Sequence, residues 1–155
     1  MRPVVLVSQA SFDASDAASA FHSSLTGETG AVVTFAGIVR GSGDLSLTLQ
    51  HYPGYTERKI GEIATRAIGR FGLDSLLVRH RVGTMRPGET IVFVAAAGAH
   101  RREAFEACDF MMDYLKSAAP FWKLETVDRE SRWIEPTARD IADRQRWEVD
   151  DARDQ

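Results

Sequence analysis

The sequence predicts an α+β fold with a mainly antiparallel sheet and two to three helices, in a single domain over residues 1–136. Segments with the pattern of strands are joined by short turns rich in Gly and Pro, as in hairpins, and a few helical patterns lie between them. Paired hairpins disfavour a doubly wound fold, in which strands and helices alternate regularly. The 155 residues, 44% apolar and 26% charged, suffice for one globular domain.

The first half of the chain is expected to hold a strand, a short helix and a hairpin. Residues 3–9 form the strand, and Asp13 caps an Ala-rich helix over 14–25. Segment 30–40 is β-branched and apolar on both faces, which is typical of a strand buried on both sides. The turn sequence RGSGD leads into the alternating segment 45–52, so we expect these two strands to pair.

The next part of the chain predicts a helix and a second hairpin. Apolar residues recur at helical spacing over 56–71, and Thr56 is the candidate cap. Segments 75–83 and 90–99 read as strands that are joined by the turn MRPGE, so they form the hairpin.

Segment 100–120 has the strongest helical pattern, and Pro120 ends it before a strand over 121–127. On its apolar stripe Cys108 is expected to be a small buried residue, not a nucleophile. The stripe consists of Phe105, Cys108, Met112 and Leu115.

The charge distribution separates the C-terminal tail from the rest. The chain has 19 basic and 22 acidic residues, and no run of Lys or Arg forms a basic patch that would bind nucleic acid. Residues 125–155 hold 6 basic and 10 acidic residues, a net charge of -4. In the tail over 137–155, Ile141 and Trp147 are isolated apolar residues. We expect a solvated or frayed helix there, with docking on a partner as the alternative.

Composition also bears on cellular setting and metals. A single cysteine fits a reducing environment, and the apolar run at residues 4–7 is too short for a signal peptide or a membrane span. We therefore expect a cytoplasmic protein without membrane association. The four histidines lack the spacing of metal ligands, so no metal site is expected.

Five cationic or imidazole side chains are the candidate chemical groups. His100 and Arg101 begin the long helix, where free backbone N–H groups favour anions, and Arg40 ends a strand. Lys116 ends the helix and Lys123 opens the next strand, so both can face one pocket. Two close ammonium groups lower each other's pKa unless an anion lies between them, which indicates an anionic substrate or a lysine that loses a proton. A helix-end lysine and a snorkelling lysine remain the alternative.

The length of this helix limits which groups can meet. Arg101 and Lys116 are 15 residues apart, about 22 Å along a helix. They therefore cannot surround one small ligand within a single chain. Either the chain has two sites, or a symmetric dimer joins the helix start of one subunit to the helix end of the other; we favour the dimer.

Several segments resemble the large, catalytic subunit of molybdopterin synthase: GAVVTFAGIVRG, LTLQHYPGYTE, HRVGTMRPGE, FMMDYLKSAAPFWK and RWIE, in the family's order over about residues 30–135. The resemblance implies an α/β hammerhead-type fold and a homodimer within a heterotetramer. The partner would be a small ubiquitin-like sulfur-carrier subunit with a C-terminal Gly-Gly thiocarboxylate. Two sulfur transfers to cyclic pyranopterin monophosphate would make the dithiolene of molybdopterin, with no metal or dissociable cofactor.

The resemblance also implies roles for individual residues. Lys116 and Lys123 would be catalytic, the first passing protons and the second stabilising developing negative charge, although a covalent role for a lysine stays open. Together with the lysines, Arg40, His100 and Arg101 would bind the substrate. The pocket would be lined by Ile38, Val39, Leu124 and Glu125. The family often has a lysine where this chain has Ile38.

Two other classes of function fit the same residues. The chain could be a non-catalytic dimeric scaffold that binds a ubiquitin-like tail or a phosphorylated metabolite. It could also be a lysine-dependent lyase acting on a phosphorylated carbonyl compound, which predicts a substrate adduct that borohydride traps. Loss of sulfur transfer, but not of binding, in Lys116→Ala would favour the enzyme over the scaffold.

Overall fold

Two four-stranded sheets and four helices make up residues 2–151, the part of the chain that the computed structural model describes. The first sheet has the order β1 (Val4–Ser8), β4 (Leu73–Arg81), β6 (Thr90–Gly98), β2 (Ala31–Ile38). The second has the order β5 (Gly83–Met85), β3 (Ser46–His51), β7 (Phe121–Val127), β8 (Glu130–Ile134). The helices are α1 (Ala14–Ser23), α2 (Tyr55–Phe71), α3 (Arg101–Ser117) and α4 (Ala138–Asp151). Over residues 2–151, no helix is long and apolar enough to cross a membrane.

The predicted class, α+β with mainly antiparallel strands, is confirmed. Within the two sheets, β1 and β4 run parallel and the other pairs run antiparallel. The second predicted hairpin is present, because β4 pairs with β6 in the first sheet. The connection between those strands also contributes β5, which pairs with β3 and so links the two sheets.

The first predicted hairpin is wrong. β2 pairs with β6, whereas β3 lies in the other sheet between β5 and β7. A turn sequence shows that the chain reverses but does not select the partner strand, and the apolar β6 is the better partner for β2. β2 is also an edge strand and not buried on both sides, since Phe35 is 40% exposed.

Helix α2 begins at Tyr55, two residues earlier than a cap at Thr56 would allow. Gly54 precedes the helix with a φ of 81°, and its N–H donates to the Glu57 carboxylate at 2.7 Å. Thr56 is buried inside the first turn, where its hydroxyl accepts from the Tyr52 N–H at 3.0 Å and donates to the Pro120 carbonyl at 3.2 Å. The side chain therefore joins α2 to the chain just before β7, and the predicted capping role is wrong.

Helix α3 turns a face of small and aromatic residues to the first sheet. Cys108 and Leu115 are buried as predicted, but Phe105 is 62% exposed. The buried face instead includes Ala104 and Ala107, whose small side chains let the helix approach the sheet closely. The thiol of Cys108 donates to the Val33 carbonyl at 3.3 Å, and burial raises its pKa to about 12, so the prediction of an inert buried thiol agrees with its surroundings.

The charged tail forms α4, which packs on α3. Trp147 is 8% exposed and meets the rings of Phe71 and Phe110 edge-on, with centroids 5.9 and 5.6 Å away. Its indole N–H donates to Asp113 at 2.7 Å, and Arg146 donates to the same carboxylate at 2.8 Å. The helix was predicted, but its docking on its own chain was not. The short strands β5 and β8 are the elements that the sequence pattern left out.

Candidate active site

A cavity of about 650 Å³ opens where the end of β2, the last turn of α3 and the strands β4 and β7 come together. Its apolar wall includes Met112, Leu115 and Ile134. Six of the side chains that the sequence singled out line it: Ile38, Val39, Arg40, Lys116, Lys123 and Glu125. The volume lies in the range of pockets that hold small molecules.

The two lysines reach this cavity because α3 ends sharply between them. Lys116 lies in the last turn of α3, and the N–H groups of Ala118 and Ala119 both donate to the Tyr114 carbonyl, at 2.8 and 3.0 Å. The chain then turns at Pro120 into β7. Lys123 lies on the same face of β7 as Glu125, so strand alternation points both toward the cavity.

Arg40 is positioned by hydrogen bonds of the residue before it. The N–H of Val39 donates to the Glu89 carbonyl and its carbonyl accepts from the Gly88 N–H, both at 2.9 Å. Val39 is also buried. The backbone just before Arg40 is therefore fixed, and Arg40 lines the cavity.

The electrostatics of the lysine pair follow the expected direction. Burial lowers the pKa of Lys123, the positive charge of Lys116 lowers it further, and Asp140 of α4 opposes both. The Thr137 N–H donates to Asp140 at 2.9 Å and lowers the pKa of that carboxyl, and both lysines lower it further. Asp140 is thus a counter-ion near the cavity that sequence patterns did not reveal, because docking of the tail on its own chain was not predicted.

His80 is a second cavity residue that was not predicted as a site residue. It is 6% exposed, its Nδ1 lies 2.8 Å from the Arg81 carbonyl oxygen, and its ring stacks on Phe121 at 4.1 Å. Burial lowers the pKa of His80 to about 4, and the charges of Lys123 and His51 add to this effect. Alternation along β4 places His80 on the same buried face as Leu76 and Val78, but alternation alone does not show that this face borders a cavity.

His100 and Arg101 are not brought to the lysines within one chain. They lie at the opposite end of α3, about 22 Å from Lys116 by helix length. There they border a separate surface depression of about 590 Å³ together with the exposed ring of Phe105. The predicted separation along the helix is confirmed.

Leu124 and Glu125 differ in what they contact. Strand alternation puts Leu124 on the face of β7 opposite Lys123, so it does not line the cavity. The Glu125 carboxylate accepts a hydrogen bond from Arg132 at 3.1 Å, which ties β7 to β8 at the edge of the cavity.

The titratable and charged residues that line the cavity are two lysines, one arginine, one neutral histidine and Glu125, whose carboxylate is paired with Arg132. Such a set binds an anion and has lysine available for proton transfer, which arginine cannot supply. Among the side chains of residues 2–149, no group of three or more His, Cys, Asp or Glu is placed to hold a metal ion. The fold and the site together fit the class of enzymes that act on small anionic molecules.

Comparison with known proteins specifies this class. A family model described as MoaE protein matches residues 7–118. The molybdopterin synthase catalytic subunit of Caulobacter vibrioides is 58% identical over 123 residues, which is 78% of this chain and 82% of that one. The corresponding subunit of Pseudomonas aeruginosa is 47% identical over 148 residues, 93% of this chain and 98% of that one. The chain therefore belongs to the MoaE family.

Solved structures agree with this assignment. The molybdopterin cofactor biosynthesis protein E from Burkholderia multivorans has a TM-score of 0.81 at 39% identity, covering 96% of this chain and 98% of that one. A protein–protein complex of subunits 1 and 2 of the molybdopterin-converting factor from Helicobacter pylori has a TM-score of 0.71 at 21% identity, covering 83% and 88%, and shows the same fold. The family, fold and enzyme class that the resemblance implied are confirmed.

Proposed function

We propose that this chain transfers sulfur from the thiocarboxylated Gly-Gly terminus of a small ubiquitin-like subunit to cyclic pyranopterin monophosphate, which forms the dithiolene of molybdopterin. The observation that carries the proposal is the convergence of Lys116, Lys123 and Arg40 on one cavity. The substrate's cyclic phosphate is the anion that lets two ammonium groups lie close together. The reaction belongs to molybdenum cofactor biosynthesis, and we place it in the cytoplasm.

The two lysines have different surroundings, which suggests different roles. Lys116 is exposed at the end of α3, and we assign it proton transfer as sulfur adds and the phosphate ester opens. Lys123 is half-buried, and an ammonium group in a less polar setting stabilises developing negative charge more strongly. Arg40 binds the phosphate together with the lysines. All these residues lie in 1–136, the segment that we regard as the catalytic domain.

The partner and the assembly are part of the proposal. The curated relatives are named catalytic subunits, and the Helicobacter pylori structure is a complex of two subunits, which supports a second, small chain. We propose a homodimer of this chain within a heterotetramer, in which His100 and Arg101 of one subunit complete the lysine cavity of the other. The length of α3 supports this arrangement, since one chain alone keeps the two groups apart.

Mixing two inactive variants tests the shared site. Lys116→Ala and Arg101→Ala dimers should each be nearly inactive. If each site takes its lysine and its arginine from different subunits, a mixed dimer has one intact site, and random mixing should restore about a quarter of wild-type activity. If both residues act within one chain, mixing restores nothing.

Single-turnover sulfur transfer tests the function itself. The assay combines the protein, the thiocarboxylated partner and cyclic pyranopterin monophosphate, and it compares Lys116→Ala with the control Lys59→Ala. Lys59 is a suitable control because it lies on α2, 3.0 Å from Glu62, and does not line the cavity. Wild type and the control should form the dithiolene, and Lys116→Ala should be at least about 100-fold slower.

Two other results would replace the proposal. Binding of both components by wild type without product would indicate the non-catalytic scaffold. A borohydride-trapped adduct between a lysine and a phosphorylated carbonyl compound would indicate the lyase.

A further inference from the structure

His80 occupies a position from which it can act on Lys123. Its ring stacks on Phe121, with centroids 4.1 Å apart and planes 21° from parallel. Phe121 and Lys123 lie two residues apart on the same face of β7, about 7 Å along the strand, so both side chains project toward the side on which His80 lies. Both His80 and Lys123 line the cavity. The imidazole and the amine therefore border the same space.

The surroundings of the ring fix which nitrogen carries the proton. A carbonyl oxygen only accepts hydrogen bonds, so the 2.8 Å contact with the Arg81 carbonyl requires a hydrogen on Nδ1. Burial of the ring keeps it neutral, since its pKa lies near 4. In a neutral imidazole with a hydrogen on Nδ1, Nε2 is a hydrogen-bond acceptor.

This acceptor is open to the cavity. Among residues 2–151, Nε2 of His80 has no hydrogen-bond partner. In the same part of the chain, the polar side-chain atoms that are both buried and without a partner belong to Arg81, Glu103 and Arg144. Nε2 of His80 is not among them, so this atom is accessible from the cavity. Its lone pair is therefore available to a donor inside the cavity, and the cavity wall supplies one in Lys123.

We propose that His80 is a positioning residue for Lys123: its Nε2, which has no partner among the described residues, accepts a hydrogen bond from the ammonium group when the lysine side chain turns toward it, and this contact holds that group in the cavity. An uncharged acceptor suits this task, because a carboxylate at the same place would neutralise the cation that the anionic substrate needs. The inference rests on the proposed function, because that function gives Lys123 its role in sulfur transfer.

Other charged groups also act on Lys123, and the test has to separate them from His80. Asp140 on α4 favours the ammonium form, and Lys116 on α3 disfavours it. Around the same cavity lie the remaining titratable or charged groups, namely Arg40, Glu125 and, through its effect on His80, His51. None of these is altered in the variants below.

Two amide variants separate the two ring nitrogens. His80→Asn keeps a donor near the position of Nδ1 and lacks a group at the position of Nε2. His80→Gln places an amide oxygen near the position of Nε2 and loses the donor to the Arg81 carbonyl. Both lose the stacking on Phe121, so their comparison isolates the acceptor. We expect single-turnover sulfur transfer to be at least about tenfold slower in His80→Asn than in His80→Gln.

Lysine NMR provides a readout that does not depend on sulfur transfer. The chain has three lysines, Lys59, Lys116 and Lys123, so labelling at Cε gives three resolvable signals. A hydrogen bond to a neutral acceptor stabilises the ammonium form, so the pKa of Lys123 should fall in His80→Asn and stay near the wild-type value in His80→Gln. Lys59, on the outer surface of α2, is the internal reference.

A measurement on the wild-type protein keeps the inference falsifiable if the variants do not fold. Nitrogen-15 spectra of the four histidines should show His80 with a hydrogen on Nδ1 and none on Nε2 at neutral pH. The opposite tautomer would overturn the inference. So would equal Lys123 titration in both variants, or an Asn variant as active as the Gln variant. If wild type forms no product, the proposed function fails, and the NMR comparison still decides the link between His80 and Lys123.

Discussion

Thr56 donates a hydrogen bond to the carbonyl of Pro120 across 64 residues of sequence, at 3.2 Å, and so joins the start of α2 to the segment between the two cavity lysines. The same hydroxyl accepts from the Tyr52 N–H at 3.0 Å. Thr56 is fully buried and both contacts are partly buried, and they restrain the turn that brings Lys123 to the cavity. The geometry of the site therefore depends on a residue outside it.

Replacing this threonine tests that dependence. Thr56→Val keeps the shape of the side chain but removes two partly buried hydrogen bonds, which should lower the free energy of unfolding by about 1–3 kcal/mol. The rate of sulfur transfer should fall as well. Chemical denaturation measures the first effect. Thr65→Val is the control on the exposed face of α2, with a change within about 0.5 kcal/mol; equal changes in the two variants would contradict the role of Thr56.

Asp140, on α4, is predicted to raise the pKa of Lys123. Asp140→Asn removes the negative charge that favours the ammonium form of Lys123, so the pKa of Lys123 should fall further below its usual value. The alkaline limit of activity should move to lower pH, and lysine NMR measures the titration directly. Asp143→Asn, one turn further along α4 and paired with Arg139, is the control. An unchanged Lys123 titration in Asp140→Asn would show that the carboxylate does not act on the pair.

Acid should destabilise the fold through His80. Its pKa falls from 6.5 to about 4 on folding, so the unfolded chain binds a proton that the folded chain excludes. The contribution to stability is complete above pH 6.5 and is lost as the pH falls toward 4, by up to about 3 kcal/mol. Denaturation at several pH values should show a smaller loss over this window in His80→Gln. The same pH dependence in wild type and variant would assign the effect to other groups.

The anchoring of α4 depends on one large side chain. Trp147→Ala removes the indole that packs against Phe71 and Phe110, and it should cost about 3–5 kcal/mol in the free energy of unfolding. Val149→Ala, on the exposed side of the same helix, should change it by less than about 0.5 kcal/mol. Urea denaturation of both variants measures the difference, and a similar small effect in both would mean that the helix is not held by this contact.

The lysine pair could be predicted from sequence because it depends on local geometry. A helix that stops between Lys116 and Pro120 and returns as a strand leaves little choice in where the two ammonium groups point. The exposure of Phe105 was not predictable in the same way, because Ala104 and Ala107 also mark an apolar face and only the approach of the sheet selects between the two faces.

Features that depend on distant parts of the chain were missed. The pairing of β2 with β6 in place of β3 is decided by which strand offers the best buried surface, and the turn sequence carries no information on that choice. Asp140 and Trp147 belong to a tail whose charge pattern resembles a solvated helix, and their roles appear only when α4 docks on α3. Likewise, His80 became a site residue only when β7 brought Phe121 and Lys123 beside it.

The rate of dithiolene formation in Lys116→Ala relative to Lys59→Ala, in a single turnover with saturating partner and substrate, tests the central claim most directly. The two variants lose the same charge from the same chain, but only one loses it at the cavity. We predict that Lys59→Ala matches wild type and that Lys116→Ala is at least about 100-fold slower. Equal rates in the two variants would contradict the assignment of the cavity as the site of sulfur transfer.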